Sequence, residues 1–226
     1  MTELSEFERE LLEKEIKEDE LDMASPSEAR EAVFSKHESS GRSKVAIVVG
    51  HSRKRQGAKA VEPINQTEYI WNDKLANMIQ ADASRSCVDC SIFYRDGVGI
   101  KGAYSSVRNW NATTFIELHF NAATVPAKGT ETLFGAPKVS KDWANIVQRE
   151  MLSVLARSAN ENRGIKKRLE GERGGRNVNQ LESIPSVLVE PFFGHVESES
   201  TLGATQMEDY AASLVKAHLA FVGMYS

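Results

Sequence analysis

Three apolar runs in this chain end on side chains that can do chemistry. "VAIVVGH" delivers His51, "TFIELH" delivers His119 and "SVLVE" delivers Glu190. Glu68 stands in the first turn of the helix expected after the first run. If the runs are strands of one parallel sheet, their carboxyl ends share an edge, and open α/β folds bind ligands there. Two imidazoles and one carboxylate form a catalytic zinc set that leaves a fourth position for water. Zinc accepts this nitrogen and oxygen mixture, whereas calcium and magnesium favour all-oxygen cages. A single histidine at a strand end is more often a hydrogen-bonded residue than a ligand. Residue type and spacing alone therefore leave both readings open.

An alternation of strands and helices must position these residues. "VAIVV" is a continuous β-branched run, as expected for a strand covered on both faces. "TEYIWNDKLANMIQAD" has helical periodicity through Tyr69, Leu75, Met78 and Ile79, with Thr67 as its expected N-cap. "SIFYR" reads as a second strand and residues 104–110 as a second helix. "TTFIELHF" is a third strand and "GTETLFG" a fourth. "SKDWANIVQREMLSVLARSA" is a long helix, "SVLVE" a strand, and "QMEDYAASLVKAHLAFVG" a closing helix. The pattern predicts an α/β fold: a twisted, mostly parallel sheet flanked by helices on both faces, in a single catalytic domain over residues 44–226. No internal repeat is visible.

Residues 1–43 read differently. The first 22 hold ten acids and three bases, a net of −7 against −4 for the whole chain, so the rest is weakly basic. Leu4, Phe7, Leu11 and Ile16 fall at roughly helical spacing, which predicts a short acidic amphipathic helix. The polar, Ser-rich stretch after it reads as a tether. The helix is a solvated tail, a docking element for a protein partner through residues 1–22, or a cover over the active site.

Hydrophobic content of 41% and charged content of 27% are ordinary for a soluble globular chain. No apolar run reaches the length of a bilayer span, so stable membrane insertion is not expected. The N-terminus lacks the basic, apolar, small-residue order of a secretory signal, which predicts synthesis in the cytoplasm. Two cysteines, Cys87 and Cys90, exclude a disulfide framework, and a lone C-x-x-C is a weak metal or redox signal.

At the residues singled out above, the sequence resembles the zinc-dependent N-acetylmuramoyl-L-alanine amidases of the Amidase_3 family. "VVGHSRKRQGA" resembles the strand, Gly-His turn and trailing Gly-Ala that open the family. "EYIWN" matches its glutamate followed four residues later by asparagine. "LHFNA" resembles its His-x-Asn-Ala segment, "NRGIK" its Arg-Gly element, and "VLVEPFF" the strand presenting its catalytic glutamate. Each motif is weak alone; five in the correct order over about residues 44–224 are specific. Two departures stand out. Val48 and Val49 replace the usual Asp-Pro before the Gly-His turn, and Gly194-His195 stand where the family commonly has an asparagine.

The resemblance implies one Zn2+ per chain held by His51, Glu68 and His119, with Glu190 as the acid/base. Glu62 is the competing carboxylate, but no asparagine lies four residues on. Glu117 points away from Ile116 and Leu118 and reads as a buried polar contact or a sheet-surface residue. Asn121, Arg163 and His195 are the expected substrate-binding residues; His37 and His218 read as structural or solvent-facing. The implied substrate is peptidoglycan, cut between N-acetylmuramic acid and L-alanine. The alternatives are a zinc peptidase or deacylase on another amide, and a non-catalytic wall-binding or virion protein with the same fold. The loop with Arg163, Lys166, Lys167, Arg168, Arg173 and Arg176 could steer stem-peptide carboxylates. Nucleic-acid binding is not expected, because the chain is acidic overall and aromatics do not interleave the basic residues. The expected protein is a monomeric phage endolysin, made in the host cytoplasm and acting at the cell wall after the inner membrane is breached.

Overall fold

The computed structural model describes residues 6–23, 26–35, 41–123 and 127–225. Along the chain come α1 (Glu6–Met23), β1 (Lys44–Val49), α2 (Glu68–Arg85), β2 (Asp89–Tyr94), α3 (Gly99–Asn109), β3 (Thr114–Leu118) and β4 (Thr130–Phe134). Then follow α4 (Lys138–Val154), β5 (Asn162–Lys167), α5 (Gly175–Val178), β6 (Ser186–Glu190), α6 (Glu197–Thr205) and α7 (Met207–Tyr225). The six strands form one sheet in the order β2-β1-β3-β6-β4-β5. β2, β1, β3 and β6 run parallel, as expected. β4 lies antiparallel to β6, and β5 pairs parallel with β4. Leu4 and His37 lie outside the described residues.

Strand parity divides the core into two layers. Val45, Ile47, Val49, Ile116, Leu118, Val187 and Val189 face α2, α4 and α7. Ala46, Val48, Phe93 and Phe115 face α3. Both faces of β1 are therefore dry, which is why its run is β-branched and unbroken rather than alternating. Burying each such side chain contributes about 1.5–3 kcal/mol. Among the described residues, no helix is long and apolar enough to cross a membrane.

Three expectations about the elements are corrected. Thr67 occupies the N-cap position of α2 but makes no side-chain cap bond; its hydroxyl donates to Gln56 instead. "NRGIKK" is an edge strand rather than a loop element. The segment after α1 is not a free tether over its described part. Val33 exchanges two backbone hydrogen bonds with Ile92, covering the outer edge of β2. Arg30 sits over the Tyr94 ring and pairs with Asp73. Cys87 and Cys90 are free.

Candidate active site

β1, β3 and β6 are neighbours in the sheet and run in the same direction, so His51, His119 and Glu190 reach one edge together. Gly50 makes the close approach possible. A Cβ there would lie 2.2 Å from the Leu118 carbonyl oxygen and 2.5 Å from His119 Nε2. Its N–H instead donates to that carbonyl at 3.0 Å. His51 then takes a left-handed φ of 65°, uncommon for a non-glycine residue and costing about 1–3 kcal/mol. The turn is held by reciprocal Ser52–Arg55 backbone bonds and by the Arg53 N–H donating to Asp96.

Glu68 enters from the first turn of α2. Its Oε2 lies 2.9 Å from His51 Nε2 and its Oε1 3.4 Å from His119 Nδ1. The backbone N–H groups of Ala58 and Phe120 also donate to it. Asn72, four residues later on the same helix face, donates to the Leu118 carbonyl. That bond fastens α2 to the end of β3. Burial opposes ionisation of Glu68, but the His51 charge and hydrogen bonds from both histidines hold the carboxyl well below its usual range. Gly57 leaves room for the group: a Cβ there would meet Glu68 Oε2 at 2.4 Å and His51 Nε2 at 2.6 Å. One ligand atom from each of His51, Glu68 and His119 lies within 4.8 Å of the others. The donor set and the glycine-lined cradle fit a divalent ion with two nitrogen ligands and one oxygen ligand.

Beneath the cluster, Glu117 is fully buried. Its Oε1 lies 3.3 Å from His119 Nε2 and 3.4 Å from Arg95 Nη1. Its Oε2 accepts from Tyr104 and Asn177. Each ring nitrogen of His119 thus faces a carboxylate, Nε2 towards Glu117 and Nδ1 towards Glu68; a metal ion would take the place of the Nδ1 proton, with Nε2–H still held by Glu117. Burial alone would lower the imidazole pKa, but the bonds to Glu117 and Glu68 raise it to about 10. Strand parity places Glu117 on the face of His119, and of the two places expected for it, a buried polar contact or the sheet surface, it takes the first.

Glu190 lines the same cavity, of about 580 Å³, together with His51, Glu68 and His119. Burial pushes its carboxyl up to about 7, against the charges of Arg173 and His119. Arg173 Nη2 lies 3.7 Å from Oε1, while Oε2 is buried with no hydrogen-bond partner. A buried carboxylate with one free oxygen and a pKa near neutrality suits proton transfer.

The three expected substrate-binding residues do not line this cavity. Asn121 is buried behind it, donating to Glu131 and accepting from Arg173. Arg163 pairs with Glu131 and lies over the Phe193 ring. His195 accepts from the Ala123 N–H. Of the basic loop, Arg173 reaches the cavity, whereas Lys166 is tied to Glu131. Glu62 is on the surface, bonded to Asn65. His218 is buried between Thr114 and Ser43. Residue types alone gave no signal for Arg173 as the partner of Glu190, or for Lys14 of α1 in the cavity wall.

Comparison with known proteins agrees with this architecture. No curated protein sequence matches the chain significantly. An N-acetylmuramoyl-L-alanine amidase from Clostridium difficile 630 is similar at a TM-score of 0.69 and 21% identity, over 83% of this chain and 100% of that one. AmiC2 of Nostoc punctiforme, also an N-acetylmuramoyl-L-alanine amidase, gives 0.66 and 20%, over 82% and 99%. The catalytic domain of the CD27L endolysin targeting Clostridia difficile gives 0.59 and 21%, over 79% and 98%. At these identities the structures establish a shared fold. The family model Amidase_3, described as N-acetylmuramoyl-L-alanine amidase, matches residues 45–222, and the chain belongs to that family.

Proposed function

We propose that this amidase cleaves the bond between the lactyl carbonyl of N-acetylmuramic acid and L-alanine with a zinc ion held by His51, Glu68 and His119. The observation that carries the reading is the grouping of those three ligand atoms in a cavity that Glu190 also lines. A zinc ion bound there would polarise the scissile carbonyl and lower the pKa of an attacking water from near 16 to about 7. Glu190 takes the proton from that water on its carboxylate. It then delivers the proton to the departing alanine nitrogen, so one carboxylate serves both halves of the reaction. The Arg173 guanidinium, 3.7 Å from Oε1 of Glu190, favours the ionised carboxylate electrostatically. Glu117 orients His119 from below.

The biological role we infer is lysis by a phage enzyme made in the host cytoplasm and acting at the wall after the inner membrane is breached. The shared fold with an endolysin catalytic domain supports it. Digestion of purified peptidoglycan tests the chemistry. Release of stem peptides with N-terminal alanine from intact glycan chains is expected, whereas single amino acids would indicate a carboxypeptidase. Co-expression with a membrane-permeabilising protein tests the role: lysis should require both, and export without the partner would contradict it.

A further inference from the structure

The acidic N-terminal helix is neither a solvated tail nor a loose tag over its described part. Asp19 and Asp22, three residues apart on one face of α1, are both buried. Buried carboxylates require partners, and of these partners Arg55 and Ile100 line the cavity while Ser52 adjoins His51 in sequence. Asp22 accepts from Ser52 Oγ and Arg55 Nη1, each at 2.9 Å. Asp19 accepts from the Ile100 N–H at the start of α3 and pairs with Arg176 at 3.3 Å. Gly99 admits it, since a Cβ there would lie 2.6 Å from Asp19 Oδ1. Further along the helix, Lys14 forms part of the cavity wall with His51, Glu68, His119 and Glu190.

One of these partners retains spare donor capacity: Arg176 keeps Nη1 without a hydrogen-bond partner. Arg95, nine-tenths buried in the cavity wall nearby, likewise keeps Nε unbonded. Guanidinium groups, a hydroxyl and a helix N-terminus are the donors that recognise carboxylates. Stem peptides carry several carboxylates, and a cleft built to admit them needs such donors.

We propose that Ser52, Arg55, Arg176 and the N-terminus of α3 form a carboxylate-binding rim that Asp19 and Asp22 occupy in place of an anionic stem peptide. The inference rests on the amidase reading and adds a regulated entrance to it. Helix α1 is a tethered competitor, and substrate reaches the metal cluster as α1 leaves. A helix seated about nine-tenths of the time weakens a competing ligand about tenfold.

The test uses the full chain and its Asp19→Asn/Asp22→Asn variant, with a soluble stem tripeptide bearing free carboxylates as probe. Calorimetry gives the Kd at about 25 mM and about 300 mM salt, where screening differs several-fold. Hydrogen exchange follows residues 6–23. The variant should exchange faster in α1 and bind the tripeptide about tenfold tighter at low salt. In the native chain, the tripeptide should speed exchange of α1. The idea is overturned by equal affinities, by α1 exchange that neither the substitutions nor the peptide change, or by no binding to either form. A parallel digest of purified wall separates the two claims. Failure of the amidase reading appears as no product with an N-terminal alanine while the affinity gap persists.

Discussion

Replacing Glu117 by glutamine separates its effect on the metal ligand from its effect on the fold. The carboxylate faces His119 Nε2 and Arg95 through Oε1, and Tyr104 and Asn177 through Oε2. All four neighbours offer protons to it. Glutamine keeps the shape but can accept on one side only, so its amide nitrogen confronts donors on the other. One buried donor left unsatisfied costs about 1–3 kcal/mol of stability. The loss to metal binding is distinct. Without the negative charge on Nε2–H, His119 is a weaker and less oriented donor, and loss of such a partner typically costs about 10–100-fold in metal affinity. That corresponds to about 1.4–2.7 kcal/mol. Competition against a chromophoric chelator reads zinc affinity, and thermal unfolding of the metal-free protein reads stability. Tyr104→Phe is the control, because it removes a donor to Glu117 but leaves the carboxylate on His119. It should lose about 1 kcal/mol of stability and keep its zinc affinity within about threefold, well inside the loss expected for Glu117. If Glu117→Gln binds zinc as tightly as the native chain while losing stability, Glu117 serves packing alone and the orienting role is refuted.

Other expectations follow from the same geometry. Glu190→Gln should lower kcat by about 10²–10⁴-fold with zinc content unchanged; retained wall lysis would point to another acid/base. Gly57→Ala places a methyl against Glu68 and His51 at a φ of +74°, so zinc affinity should fall by about tenfold or more while the circular dichroism spectrum persists. A variant that binds zinc normally would show that the cradle yields. Burial lowers the His218 imidazole from 6.5 to about 4. Below the unfolded value the unfolded chain takes up a proton that the folded chain refuses. Stability should therefore fall as pH drops from 6.5 towards 4, by up to about 3 kcal/mol. Urea titrations across that range should show the loss in the native chain and a shallower one in His218→Gln; parallel curves would assign the pH dependence elsewhere.

The parts of the fold legible in the sequence were those whose local pattern matches their environment. β1 is dry on both faces, and its unbroken apolar run says so. Because β1, β3 and β6 are parallel neighbours, reading their ends was enough to bring His51, His119 and Glu190 to one edge. β5 escaped because "NRGIKK" is a half-exposed edge strand whose charged side chains carry no apolar alternation. The reversal of β4 against β6 is a long-range pairing that no local pattern encodes. α6 escaped because "ESESTLGAT" lacks an apolar stripe. At the site, composition marked residues 1–22 as acidic but could not show that two of the acids are buried against Arg55 and Arg176. His195 drew attention by position in the chain, yet it turns to the Ala123 backbone, and Arg173 from the basic loop is the group that meets Glu190.

The central claim is a metal cluster of His51, Glu68 and His119 working with Glu190. Metal analysis of the purified chain, paired with identification of the products of one peptidoglycan digest with and without chelator, tests it most directly. The account predicts zinc in equal amount to protein, activity lost to the chelator and restored by zinc, and stem peptides with alanine at their amino terminus. Full activity in a metal-free preparation that ignores the chelator would contradict it.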